Sequence, residues 1–176
     1  MATANVHTKT FEALKKDFNY TSLMQAPRVQ KIVISTGISA SIDKKKRELI
    51  VDRLRKITGQ APAPRSAKKS IATFKVRKGD TVGYQITLRG ARMQSFLDKL
   101  IHIVLPRVRD FRGINPSAID EMGNTSIGLK EHTVFPETSD EDIKDIFGLA
   151  VTIVTTAKDK KEAEAFIRHL GLPLRS

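Results

Sequence analysis

Ser66 and Lys69 stand at the S-x-x-K spacing used by one class of serine acyl-transfer enzymes, the nearest this sequence comes to a nucleophile beside a base. The companion motifs of that class are missing, so the pair reads as two surface residues. His7, His102, His132 and His169 are scattered without the spacing of a metal site, and His102 falls on a predicted core helix, where a semi-buried side chain is expected. Glu137 has no evident carboxylate partner for acid–base work. With no cysteine there is no thiolate nucleophile, no disulfide and no cysteine-ligated metal centre. No glycine-rich phosphate loop with its lysine is present. The expectation is a protein with no catalytic residue, no metal set, no cofactor and no small-molecule substrate.

Cations carry the chemistry instead. The stretch KKSIATFKVRKGDTVGYQITLRG, residues 68 to 90, holds six positive charges and one negative charge on two apolar-alternating runs hinged at Lys78-Gly79-Asp80. Period-two alternation in a hairpin puts Phe74, Val76, Val82, Tyr84, Ile86 and Leu88 on one face, and Lys75, Arg77, Gln85, Thr87 and Arg89 on the other. Two readings stand: a solvated polar face, as any half-exposed hairpin has, or a surface laid on structured RNA through phosphates and 2′-hydroxyls. The neighbouring loop adds Arg65, Lys68 and Lys69, and Lys78 lies at the turn, a patch able to release counterions from a polyanion. Stacking aromatics are nearly absent from the polar face, which favours backbone and groove contacts over splayed bases.

The whole chain follows the same trend. Its formal charge is +12 over 176 residues. Residues 1 to 60 carry 12 Lys/Arg and 5 Asp/Glu, residues 61 to 113 carry 12 and 3, and residues 114 to 176 carry 7 and 11. A basic two-thirds fits nucleic acid, and the acidic remainder fits a basic protein neighbour. The N-terminus lacks the apolar core of a signal peptide and no segment approaches a membrane span, so a cytoplasmic protein is expected, without membrane contact.

The elements that must position these residues read as α+β. Phe11, Leu14 and Phe18 predict a short amphipathic helix over residues 8 to 19, and for residues 1 to 8 both an ordered and a disordered start are left open. RVQKIVIS, residues 28 to 35, predicts a buried strand. Asp43 caps a helix whose Ile50, Leu54 and Ile57 share a face and whose stop is Gly59; its first turn, Lys44 to Arg47, is basic where a helix prefers acid, which an anion nearby would explain. QAPAPRSAKKS, residues 60 to 70, predicts an exposed loop. Met93, Phe96, Leu97, Leu100, Ile101 and Val104 mark the central core helix, ended by Pro106. RVRDFRG follows, in which Arg107, Arg109 and Arg112 surround Asp110 as RNA contacts or as an internal ion network, with Arg109 and Asp110 the more structural pair. Residues 124 to 134 predict a strand pair, or a strand with a turn at Gly128. SDEDIKDIF, from Ser139, predicts an acidic short helix; GLAVTIVTTA, residues 148 to 157, a central strand; and Asp159 the cap of a last helix with Ala163, Phe166, Ile167 and Leu170 inside. A single domain over residues 1–176 is expected: 61–90 a basic loop and hairpin, 139–176 an acidic helix, central strand and final helix, and an antiparallel sheet with helices on one face and an open polar face toward RNA.

Three long segments are also recognisable: ITGQAPAPRSAKKSIATFKVRKGDTVGYQITLRGARM, LPRVRDFRGINPSAIDEMGNTSIGLKEHTVFPE and GLAVTIVTTAKDKKEAEAFIRHLGLPLRS. From about Tyr20 onward the chain resembles the bacterial form of ribosomal protein five of the large subunit. The resemblance implies a cytoplasmic ribosome component that binds 5S ribosomal RNA, helps form the central protuberance beside large-subunit RNA and other 5S-associated proteins, touches the elbow of peptidyl-site transfer RNA and bridges to a basic small-subunit protein. It implies ribosomal RNA contacts at Gln60, Thr87 and Arg89, and at Ser35, where the family usually carries asparagine and this chain supplies a shorter side chain with one hydroxyl. With the basic loop, the expected ribosomal RNA set is Ser35, Gln60, Arg65, Lys68, Lys69, Thr87 and Arg89. Arg77, Lys78 and the Gly79 backbone are the expected transfer RNA contact, with Asp80 an unhelpful charge. Asp140, Glu141, Asp142 and Asp145 are the expected small-subunit bridge, or a solvated helix start.

Overall fold

The computed structural model describes residues 2–39, 42–138 and 145–175, and the side chains from residue 7 onward among them. Strands β1 (Val29–Gly37), β2 (Ala63–Ser66), β3 (Thr81–Leu88), β4 (Thr125–Leu129) and β5 (Leu149–Thr155) form one antiparallel sheet in the order β2-β3-β1-β5-β4. Around it run α1 (Ala2–Phe18), α2 (Lys44–Thr58), α3 (Gly90–Lys99), α4 (Leu105–Arg107) and α5 (Lys160–His169). The α+β class expected from the sequence is the one observed.

Alternation decides which face of the sheet is covered. Ile32 and Ile34 of β1, Ile86 and Leu88 of β3, Val151 and Ile153 of β5 and Ile127 and Leu129 of β4 are all buried and share one core with helical side chains. Those come from α2 (Ile50, Leu54, Ile57), from α3 and its continuation (Met93, Phe96, Leu97, Leu100, Val104) and from α5 (Ala163, Ile167). Each of the larger of these side chains contributes roughly 1.5–3 kcal/mol on burial, so helices packed on this face fix the sheet's orientation. A second cluster, Leu14, Tyr20, Ala26 and Phe166, joins α1 to α5.

The caps explain where elements start and stop. The Asp43 carboxylate accepts the Lys44 N–H at 2.9 Å, and Gly59 closes α2 in the left-handed region at φ 68°. Asp159 occupies the N-cap position of α5 but its side chain makes no capping bond; Glu162 reaches back instead and accepts the Lys158 N–H at 2.6 Å. Pro106 does not end the core helix. It has no N–H to give the His102 carbonyl, and the helix accommodates it by widening into a π turn over Leu100–Val104, with Leu105 N–H donating to Leu100 O.

Several expectations are corrected. Helix α1 begins at Ala2, well before residue 8. Residues 63–66 are an edge strand rather than loop, and it is β2, not residues 71–77, that pairs with β3. Segment 71–77 holds a single bridge, Ile71 to Val76, around a 3₁₀ turn at Ala72–Phe74, and Lys75 sits at φ 51°. Phe74 is therefore 69% exposed, not core, and Val76 only half-buried. Residues 125–129 are one strand with Gly128 inside it, opposite Ala150. His102 is exposed. Glu137 pairs with Lys99, whose ammonium also donates to Ile57 O at 2.8 Å and so ties α3 to the end of α2. Among the described residues Arg109 and Asp110 form no ion pair, so of the two readings left open for this segment the internal ion network is not the one built. The acidic helix expected from Ser139 lies mostly outside the described residues.

Candidate RNA interface

Residues directly opposite in an antiparallel ladder share a face. Ser35 pairs with Gln85 and Val33 with Thr87 across β1 and β3; Ala63 pairs with Gln85 and Arg65 with Gly83 across β2 and β3. On the other side Val33 pairs with Thr152 and Ser35 with Ala150, and Ser126 with Thr152. Arg65, Gln85, Thr87, Ser35, Thr152 and Ser126 thus share the face opposite the core. Ser35, Gln85, Thr87 and Thr152 are half-buried, and Arg65 and Ser126 exposed. The Ser126 and Thr152 hydroxyls bond to each other at 3.0 Å.

Two more expected residues border this face. Arg89 follows β3 at the N-cap of α3, exposed, with extended backbone (φ −140°, ψ 163°) and no capping bond to occupy it. Gln60 follows the Gly59 cap and precedes β2 by three residues; its backbone is held by the Thr58 hydroxyl, which receives the Gln60 N–H at 3.3 Å and donates to Gln60 O at 3.1 Å. Gly83 fits against β1 only without a side chain: a Cβ there would lie 2.5 Å from Thr36 O.

Residues 67–80 form an arm at the β2–β3 end of the sheet. Its base is closed by Ala67 N–H to Asp80 O at 2.8 Å and Gly79 N–H to Ala67 O at 3.0 Å. Arg77 to Asp80 make a turn with Asp80 N–H to Arg77 O at 3.1 Å and Gly79 at φ 97°, a conformation that glycine adopts without strain. Asp80 is structural here, since its carboxylate accepts the Arg77 N–H at 2.8 Å; Ser70 Oγ accepts the Lys78 N–H at 3.0 Å. Lys68, Lys69, Arg77, Lys78 and Gly79 are all exposed, and the arm brings the two groups of expected RNA contacts onto one projection. Phe74 stands at its outer turn with Ile71, 48% exposed. The sequence pattern placed this aromatic on the buried face, and its exposure follows from the turn that Lys75 makes beside it.

Of the expected bridge residues only Asp145 is described; it is half-buried just before β5, while Asp140, Glu141 and Asp142 lie outside the described residues. Ser66 and Lys69 are both exposed, one at the end of β2 and one on the arm.

Fold and surface together define a basic α+β protein with a polar sheet face and an exposed cationic arm. The family model described as ribosomal protein L5 matches residues 22–77, and the model for the C-terminus of the same ribosomal family matches residues 81–174. The boundary between them falls at the Arg77–Asp80 turn, and strands from both segments share one sheet, with β3 of the second between β2 and β1 of the first. The chain is 46% identical over 168 residues to large ribosomal subunit protein uL5 of Ureaplasma urealyticum, covering 95% of this chain and 91% of the relative. It is 46% identical over 169 residues to the uL5 protein of Flavobacterium johnsoniae (96% and 92%), and 47% identical over 161 residues to that of Mycoplasma mycoides (91% and 89%). The chain belongs to the ribosomal protein L5 family, and is accordingly a structural constituent of the ribosome, not an enzyme.

Proposed function

We propose that the polar sheet face binds 5S ribosomal RNA, that the 67–80 arm reaches peptidyl-site transfer RNA, and that the protein helps form the central protuberance in the cytoplasmic ribosome. The observation that carries this reading is the register: Ser35, Gln85, Thr87 and Arg65, drawn from three strands, form one surface of hydroxyl, amide and guanidinium groups. Such groups bond to phosphates and to 2′-hydroxyls, the chemistry of shape-based recognition of structured RNA. Gln60 and Arg89 extend this surface, and Lys68 and Lys69 supply charge beside it. On the arm, Arg77 and Lys78 provide the cations and Gly79 an exposed backbone. A bridge to a basic small-subunit protein is proposed through Asp145 and the neighbouring Asp140, Glu141 and Asp142, on charge complementarity alone.

The test compares binding of the full chain to 5S RNA and to an unrelated RNA duplex of equal length at moderate salt. Preference for 5S RNA is expected, and equal affinity would overturn specific recognition. Thr87→Ala combined with Arg89→Ala should weaken 5S binding and leave the thermal midpoint nearly unchanged; an equal loss of fold stability would make these residues structural.

A further inference from the structure

We infer that the cleft along the free edge of β4 is a second phosphate-binding site, holding the sugar–phosphate backbone of the RNA that lies on the sheet face. This rests on the proposed 5S RNA reading and adds to it a set of residues in another part of the chain. The sheet order leaves β4 with β5 on one side and no strand on the other, apart from the bridge from Thr125 to Ile119 at its start. Between that edge and the segment from the end of α4 to Gly113 lies a cleft of about 820 Å³. Arg107, Arg109 and Arg112 line it from the segment, Lys130 from the end of β4, and Arg175 from the C-terminal end. Two carboxylates, Asp110 and Glu131, line it as well, so cations outnumber acids five to two.

The arginines are brought together by backbone, not by chance proximity of long side chains. Ile114 N–H donates to Pro173 O at 2.8 Å and Arg175 N–H to Ile114 O at 2.9 Å, which staples the segment to the chain's end. Gly113, at φ 94°, makes this approach possible, since a Cβ there would lie 2.9 Å from Arg175 N. Asp110 turns the chain at φ 55°, between Arg109 and Arg112. All four arginines are exposed, and none forms an ion pair among the described residues. The cleft's floor includes Ser126 and Gly128, exposed positions on the same sheet face as Ser35 and Thr87, so it continues that face past its edge. An anionic strand crossing the sheet toward β4 runs into a wall of guanidinium forks suited to phosphate oxygens. An acidic peptide is the competing occupant; continuity with the polar sheet face favours RNA.

The test uses the full chain with Arg107→Gln, Arg109→Gln and Arg112→Gln combined, and Arg175→Gln separately as a variant outside the segment. The plot of log affinity for 5S RNA against log salt concentration should flatten by about two to three units in the triple variant, with about a hundredfold loss of affinity near 0.15 M salt, and by about one unit in Arg175→Gln. Hydroxyl-radical cleavage of the bound RNA should lose one protected backbone tract and keep the rest. An unchanged slope and footprint in variants that keep the wild-type thermal midpoint would overturn the site. Loss of binding to a labelled hexaglutamate peptide with RNA binding intact would overturn it in favour of an acidic partner. Wild-type protein with no preference for 5S RNA would instead refute the sheet-face reading, so the two failures are distinguishable.

Discussion

Glu162 is a carboxylate buried where α1 meets α5, and its two oxygens are both used: one accepts the Tyr20 hydroxyl, the other the Lys158 N–H. The contact couples residues 142 positions apart and holds α1 against the body of the protein. Burial first, and the Glu162 bond and charge second, push the Tyr20 phenol above its ordinary range. A folded-state value above the unfolded one means that this group's contribution is fully present below about pH 10 and is lost as pH rises further. Tyr20→Phe leaves Glu162 one partner short and should cost about 1–3 kcal/mol. Thermal midpoints measured between pH 7 and 11 should show the variant less stable at pH 7 and less steep in its alkaline decline; identical curves would mean that the hydroxyl contributes nothing. His132 is the opposite case. Buried and stacked on Phe147 at 4.0 Å, it is held below the ordinary histidine range first by burial, with Arg53 adding to the effect, and its Nδ1 accepts the Phe147 N–H. It serves packing, which no spacing of histidines in the sequence reveals.

At the scale of elements, the β2–β3 pair is where sequence and structure part. Pro62 and Pro64 argue against a strand, yet an edge strand tolerates proline wherever the missing N–H would face solvent, and β2 is the sheet's edge with four exposed residues. The apolar positions Phe74 and Val76, with Lys75 and Arg77 between and after them, mimic a strand, but the left-handed backbone at Lys75 breaks it and turns Phe74 outward. Period two suffices for the parity of Gln85, Thr87 and Leu88 because β3 is a true strand with one face buried. The opposition of Ser35 to Gln85, and of Arg65 to Gly83, needs the register, which no local pattern encodes. Gly83 tests that packing. A methyl group there meets Thr36 O, a backbone atom that can yield only if β1 and β3 separate. Gly83→Ala should destabilise by about 1–3 kcal/mol and speed amide hydrogen exchange in β2 and β3 before β4 and β5; uniform exchange across the sheet would contradict it.

For the whole molecule, charge and architecture are polarised together. Segment 61–113, with 12 basic and 3 acidic residues, supplies the β2 edge of the sheet, the arm and the arginine segment, whereas segment 114–176, with 7 and 11, supplies β4, β5 and α5. A net charge of +12 would by itself attract any polyanion, and diffuse attraction responds to total charge rather than to position. Local counterion release depends on which cations replace ions at phosphates. The two mechanisms separate in a pair of variants with opposite changes of charge. Lys68→Gln with Lys69→Gln removes two exposed cations from the arm, and Glu121→Gln with Asp159→Asn removes two exposed acids far along the chain. If position governs, the slope of log affinity for 5S RNA against log salt falls by about two in the lysine variant and stays at the wild-type value in the acid variant. Shifts of equal size and opposite sign would mean that the net charge of the protein, rather than its placement around the sheet and arm, sets the affinity.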